Sequence, residues 1–252
     1  MWTGPSTACA RRATTAADGK LIWLRTRTTR VAPPANLDAN GIPASRGSRA
    51  RFQSVDVLET PRLRLERWEE RRRPSFRAIA SDREVMRYIG SGETWDRRQA
   101  DEVFDRGLNH WHQYGFGWCS AVSKMSGDWL GFIGLSHRTP GAIEMRPAEV
   151  EIGWWIVHSA WGQGLASEAA AAVRDEGFGR VGLDRIVARV QPANVASAKV
   201  AEKIGMHVER EAVGRHDELV LVYMARREVW LQSPKRILAR GHGLCARRAN
   251  RC

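Results

Sequence analysis

The sequence predicts an α/β protein with a mixed central sheet, an antiparallel meander of strands flanked by helices. Three observations carry that prediction. Short runs with period-2 alternation recur along the chain, segments with apolar residues at three- and four-residue steps lie between them, and the order of the two is β, α, α, β, β, β, α, β, α, β. Three strands in succession read as a meander, and the whole order argues a mixed sheet.

The first strand is RLRLERW, residues 62–68, where charged residues alternate with Leu63, Leu65 and Arg67. A helical stretch over about 74–89 follows. A second, over about 96–114, repeats Ala100, Val103, Phe104, Leu108 and Trp111 along one face. GWCSAV (117–122), DWLGFIGLS (128–136) and AEVEIGWWIV (148–157) read as the meander, with MSGD (125–128) composed like a hairpin turn. The next helix carries Ala166, Ala169, Ala170, Val173 and Phe178 on one face and ends near the GFG at 177–179. RIVARVQ (185–191) is a strand with Ile186, Ala188 and Val190 on one side. NVASAKVAEKIG reads as a short helix with Asn194 as N-cap and Gly205 as its stop, and ELVLVYMA (218–225) as the last strand.

The formal charge of +12 suggests an acidic partner until its distribution is examined. Residues 1–53 carry nine Lys or Arg against two acids, residues 232–252 six against none, and residues 54–231 hold 25 basic and 26 acidic groups. The excess charge is therefore terminal. Residues 29–52 are rich in turn formers and lack a periodic apolar face, so 1–53 reads as a basic, disordered extension, 54–231 as the folded domain and 232–252 as a basic, disordered tail. Cys9, Cys119, Cys245 and Cys252 make no CxxC pair, and His110 and His112 diverge on a helix, so no metal site is expected. No run approaches the ~18 apolar residues of a membrane span, and the chain reads as cytoplasmic.

WGQGLASEAA, 161–170, joins a strand to a helix through two glycines, an arrangement that gathers free backbone N–H groups at a helix N-terminus. A Walker A loop would need a lysine, and none occurs between 125 and 198. The dinucleotide fingerprint GxGxxG is half met, with Ser167 in place of the third glycine and a meander ahead of it rather than a parallel unit.

The whole passage EVEIGWWIVHSAWGQGLASEA resembles the coenzyme A loop of the GNAT superfamily of N-acetyltransferases. LETPRLRLERW, DREVMRYIG, YGFGWCSAV, LGFIGL and QPANVASAKVAEKIGM resemble, in order, the branch of ribosomal-protein N-terminal acetyltransferases, over about residues 56–231. The resemblance implies the GNAT acyl-CoA N-acyltransferase fold, with acetyl-CoA as co-substrate. Backbone groups of Trp154, Trp155, Ile156 and Val157 would pair with the pantetheine arm. Amides of Gly162, Gln163, Gly164, Leu165, Ala166 and Ser167 would hold the pyrophosphate, and Asn194 would hydrogen-bond the arm.

Acetyl transfer to an amine needs a base, because amines of pKa near ~8 to ~10 are largely protonated at neutral pH. Glu151 matches an acidic position frequent in the family, and Glu149 shares its face. The family's tyrosine acid would fall at Ala201, so Ser197 is the acid that the branch resemblance implies. Both residues have plain structural roles open to them as well: ion pairing for the glutamate, helix capping for the serine. Trp111, Trp118 and Trp155 are candidates to line an acceptor cleft. The expected acceptor is a primary amine, on a protein N-terminus or a small molecule, with a monomer or homodimer as the active species. The alternative is a degenerate module of this fold that binds ribosome or RNA through its basic tails.

Overall fold

A computed structural model of the chain describes residues 57–137, 149–214 and 216–233, together with two short strands, β1 (Thr14–Thr15) and β2 (Leu21–Ile22). These two pair antiparallel, Thr14 opposite Ile22, and belong to a unit of their own, Met1–Gly47; the rest of the description concerns Ser48–Cys252. Apart from β1, β2 and residues 232–233, the expectations for 1–53 and 232–252 lie outside the described residues, as do Cys9, Cys245 and Cys252.

The elements of the larger unit are β3 (Val57–Glu59), β4 (Leu63–Arg67), α1 (Arg73–Ala80), α2 (Arg83–Met86), α3 (Arg97–Tyr114), β5 (Trp118–Ser123), β6 (Trp129–His137) and β7 (Val150–Ile156). After them come α4 (Leu165–Glu176), β8 (Arg185–Val190), α5 (Val195–Lys203), β9 (His207–Val213), β10 (Leu219–Arg226) and α6 (Arg227–Leu231). One eight-stranded sheet results, in the order β3-β4-β5-β6-β7-β8-β10-β9. Strands β4 to β7 pair antiparallel, β5 and β6 through a short hairpin and β4 and β5 across the segment that holds α1 to α3, and β7–β8 is the one parallel pair among the described strands. That pair is joined by a single bridge, Glu151 opposite Val187, whereas β7 runs beside β6 for its whole length. The sheet is split open there.

Trp154 and Trp155 are neighbours on β7 and point to opposite faces. Trp155 stacks on Phe76 of α1, with centroids 5.9 Å apart, and Phe76 also meets Phe104 of α3, so α1 and α3 cover that face. The Trp154 indole reaches Ser197 of α5, and α4 packs against α5 and against β6 and β7 on this second face. Trp68, Phe76, Phe104 and Phe132 knit the first layer edge to face and tilted, and Trp68 is fully buried. Small residues let α4 lie close to the strands: Ala169 and Ala170 are fully buried and Val173 nearly so.

Three local departures from the expectation have physical causes. The single helix expected over 74–89 is two, because Ser81 ends α1 and the Asp82 side chain accepts from the Glu84 and Val85 amides to start α2. Strands β3 and β9, at the two edges of the sheet, and the short α6 add to the expected order; in β9 the exposed Val208 and Val213 stand among charged residues that conceal the apolar period. Strand β8 is buried on both sides, since Val187 is as inaccessible as Ile186. Next to the bulge where β6 pairs with β5, Gly131 (φ +138°) lies so close to β7 that a Cβ there would be 2.0 Å from the Trp155 carbonyl oxygen.

Candidate active site

The glycine turn is built as the sequence suggests. Gly162 and Gly164 both have φ of +75°, a conformation costly for any side chain, and Gly164 is the N-cap of α4. It supplies no side-chain cap, so the amides of the first turn, from Leu165 to Ser167, are available to an anion at the positive end of a twelve-residue helix. A Cβ at Gly162 would meet nothing within 4 Å, so open space adjoins the turn. The Trp161 ring, 44 % exposed, lies against His158, and its indole N–H donates to the Ile156 carbonyl at 2.7 Å, tying the turn to the end of β7.

That bond changes what β7 can offer. Val157 donates its N–H to Leu130 on the β6 side and accepts from Ala160, so its backbone is already engaged. Alternation along the strand then turns Trp154 and Ile156 toward the split with β8, where the Ile156 carbonyl serves Trp161. The Trp154 amide and carbonyl and the Ile156 amide are the groups that face the gap.

Asn194 caps α5 as expected, its Oδ1 accepting from the Ser197 amide at 3.0 Å. The Ser197 hydroxyl accepts from the Trp154 indole N–H at 3.3 Å. An indole can only donate, so the hydroxyl proton is left free to be given elsewhere.

Glu151 lies on the opposite face of β7 from Trp154, so the structure does not bring the two candidate catalytic side chains into direct contact. Its two oxygens accept from Arg189 of β8, Nε at 3.0 Å and Nη2 at 2.9 Å. Burial pushes its carboxyl up to about 8. The guanidinium across both oxygens favours the ionised form and opposes that rise, and 19 % of the side chain is still exposed. Glu149, 2 % exposed, belongs to a separate network: it accepts from Arg185 at 3.0 Å and Arg210 at 2.9 Å, and Glu209 accepts from the same two arginines. Glu149 is thus the centre of an ion-pair network of its own.

Of the three tryptophans considered for an acceptor cleft, Trp111 is core: it is 6 % exposed and its indole donates to the Trp118 carbonyl. Trp118 packs on Trp68 and Phe132, and Trp155 on Phe76, Phe132 and Trp95. Cys119 is buried and its thiol is pushed up to about 12 by that burial, which leaves it unsuited to carry an acyl group. Arg189, Arg62 and the Trp154 side chain were not picked out from the sequence. A signal for Arg189 existed: Arg185 and Arg189 share the β8 face opposite Ile186, just as Glu149 and Glu151 share a face of β7.

Among the described residues no helix is long and apolar enough to cross a membrane. Residues 62–207 match the family model described as the acetyltransferase (GNAT) domain. The chain is 34 % identical to YkkB of Bacillus subtilis over 167 residues, 66 % of this chain and 93 % of that one. An acetyltransferase structure from Agrobacterium tumefaciens is similar at 30 % identity and a TM-score of 0.60, over 71 % of this chain and 99 % of that one. The fold is shared too with the spermidine N-acetyltransferase of Vibrio cholerae in complex with CoA and spermine, at 18 % identity and a TM-score of 0.54, over 67 % and 98 % of the two chains. A split mixed sheet, a left-handed glycine turn at a helix start and the match over most of the folded unit lead to one conclusion: the chain belongs to the GNAT acetyltransferases and is an acyltransferase enzyme.

Proposed function

We propose that the protein transfers acetyl from acetyl-CoA to a primary amine by direct attack within a ternary complex. The observation that carries this reading is the gap between β7 and β8, bridged once at Glu151 and opening toward the glycine turn. A pantetheine arm laid in that gap would pair with Trp154 and the Ile156 amide as an added strand. Its pyrophosphate would meet amides between Gly162 and Ser167, and Asn194 would hold the arm from α5.

In this reading Glu151, directly or through water, takes the proton of the attacking ammonium. A carboxylate oxygen held by one guanidinium hydrogen still has a lone pair to offer. Attack on the thioester carbonyl forms the C–N bond and breaks the C–S bond; Ser197 gives its proton to the departing thiolate and is reprotonated, through water, by the second proton that the nitrogen sheds on becoming an amide. The Trp154 indole N–H, already on the Ser197 oxygen, would ease that transfer by stabilising charge as it develops there.

The acceptor is a protein N-terminus or a small amine. Resemblance to the ribosomal-protein branch supports the first, and the spermine held by the Vibrio cholerae relative supports the second. A thiol-release screen of the full chain with acetyl-CoA, peptides of varied N-terminal residue and a set of polyamines decides between them. Release with none of these would end the amine-acetylation reading. In the same assay Ser197→Ala is expected to lower kcat by about 10²-fold with KM for acetyl-CoA held, as removal of a general acid does. An unchanged kcat removes Ser197 from the role.

A further inference from the structure

Arg62 precedes the glycine turn by 101 residues in sequence, yet its side chain grips that turn. Nη1 donates to the Gln163 carbonyl at 2.8 Å, and Nε to Glu168 Oε2, in the first turn of α4, at 2.7 Å. The Arg62 backbone N–H donates to Glu168 Oε1 at 2.8 Å, and the Thr60 hydroxyl donates to the same oxygen at 2.6 Å. Thr60 is itself fixed by the Leu63 amide, which donates to its hydroxyl at 2.9 Å. One short segment, residues 60–62, thus clamps both the turn and the start of the helix.

Two consequences follow for an anion bound there. In a trans peptide the C=O and the next N–H point in opposite directions, so fixing the Gln163 carbonyl on Arg62 turns the Gly164 N–H away from the guanidinium. A free Gln163–Gly164 peptide, flanked by two glycines, could flip and offer an oxygen where a donor is wanted. Glu168 also places a carboxylate in the helix turn that would receive a phosphate, a repulsion that Arg62 neutralises at contact distance.

We propose that Arg62 is a positioning residue for the coenzyme pyrophosphate, setting the Gln163–Gly164 peptide so that its N–H faces the phosphate and offsetting the Glu168 carboxylate beside it. The inference rests on reading the turn as the coenzyme A site. Glu168 suits the part because its hydrogen bonds to Thr60 and Arg62 outweigh its burial and hold its carboxyl below the usual range, charged at neutral pH.

Calorimetric titration of acetyl-CoA into the full chain tests it without an acceptor. Arg62→Ala is expected to raise Kd about tenfold, the weight of one charge-assisted hydrogen bond, at wild-type stoichiometry. Arg62→Lys, which can neutralise Glu168 but cannot hold it and Gln163 together, is expected to raise Kd about threefold and to fold normally. A role confined to folding would lower the stoichiometry and leave Kd of the folded fraction unchanged. An unchanged Kd in both variants, beside a wild-type protein that binds acetyl-CoA, overturns the proposal. A wild-type protein that binds no acetyl-CoA brings down the coenzyme reading itself, and the Arg62 role with it.

Discussion

Glu151 combines two opposed influences, and the balance can be read from rates. Burial favours its neutral form, whereas Arg189 favours the carboxylate that a base must be. A base acts only when deprotonated, so kcat/KM of the wild-type enzyme should rise with pH through the Glu151 pKa. Arg189→Ala leaves burial unopposed, and the rise should move to higher pH, with a larger loss at pH 7 than at pH 9. Glu151→Gln should abolish the rise and cost about 10²-fold. Identical profiles in all three enzymes would show that the carboxylate is structural.

Where helix α3 ends, one histidine joins two elements. His110 Nδ1 lies 2.8 Å from the Phe116 carbonyl, and Nε2 accepts the His137 amide of β6 at 2.9 Å. Only the neutral ring with its proton on Nδ1 satisfies both, and burial lowers its pKa from 6.5 to about 4. The sign follows directly: the unfolded chain takes up a proton below pH 6.5 while the folded one does not, so this contribution is complete above 6.5 and falls away toward 4. Between pH 7 and 4 it amounts to about 3 kcal/mol. Urea unfolding at several pH values should show it, and His110→Gln should flatten the slope; equal slopes would assign the acid sensitivity elsewhere.

At this scale the chain's local grammar was readable. The helix expected over about 96–114 has the bounds that the Asp96–Gln99 capping box and Gly115 set, Asn194 caps α5 as expected, and the two glycines of the turn lie where a left-handed backbone needs them. What escaped is long-range. The bidentate partner of Glu151 is 38 residues away, and Arg62 reaches across more than a hundred, distances at which periodicity carries no information. Edge strand β9 escaped because half-exposed residues blur the alternation that marks a strand.

For the molecule as a whole, charge is spent at two places. The +12 of the sequence belongs to its ends, while inside the domain acids and arginines are nearly balanced and several are buried together. The group formed by Glu149, Arg185, Arg210 and Glu209 joins the residue ahead of β7 to β8 and β9. Removing the central carboxylate takes one of two acidic partners from each of two partly buried guanidinium groups and leaves them to Glu209, so Glu149→Ala should cost about 2 kcal/mol in urea unfolding at neutral pH, more than Glu149→Gln, which keeps an acceptor. A cost below about 0.5 kcal/mol would mean that solvent takes over the pairing.

The single bridge between β7 and β8 has a last implication. On the reading proposed above, the arm of the coenzyme lies where a ninth strand would, so the sheet is completed by a metabolite rather than by protein. Free energy gained on binding is then also free energy of folding, growing with coenzyme concentration. Such an enzyme is most robust when its donor is plentiful, and its lifetime in a proteolytic environment becomes a measure of how much acetyl-CoA surrounds it.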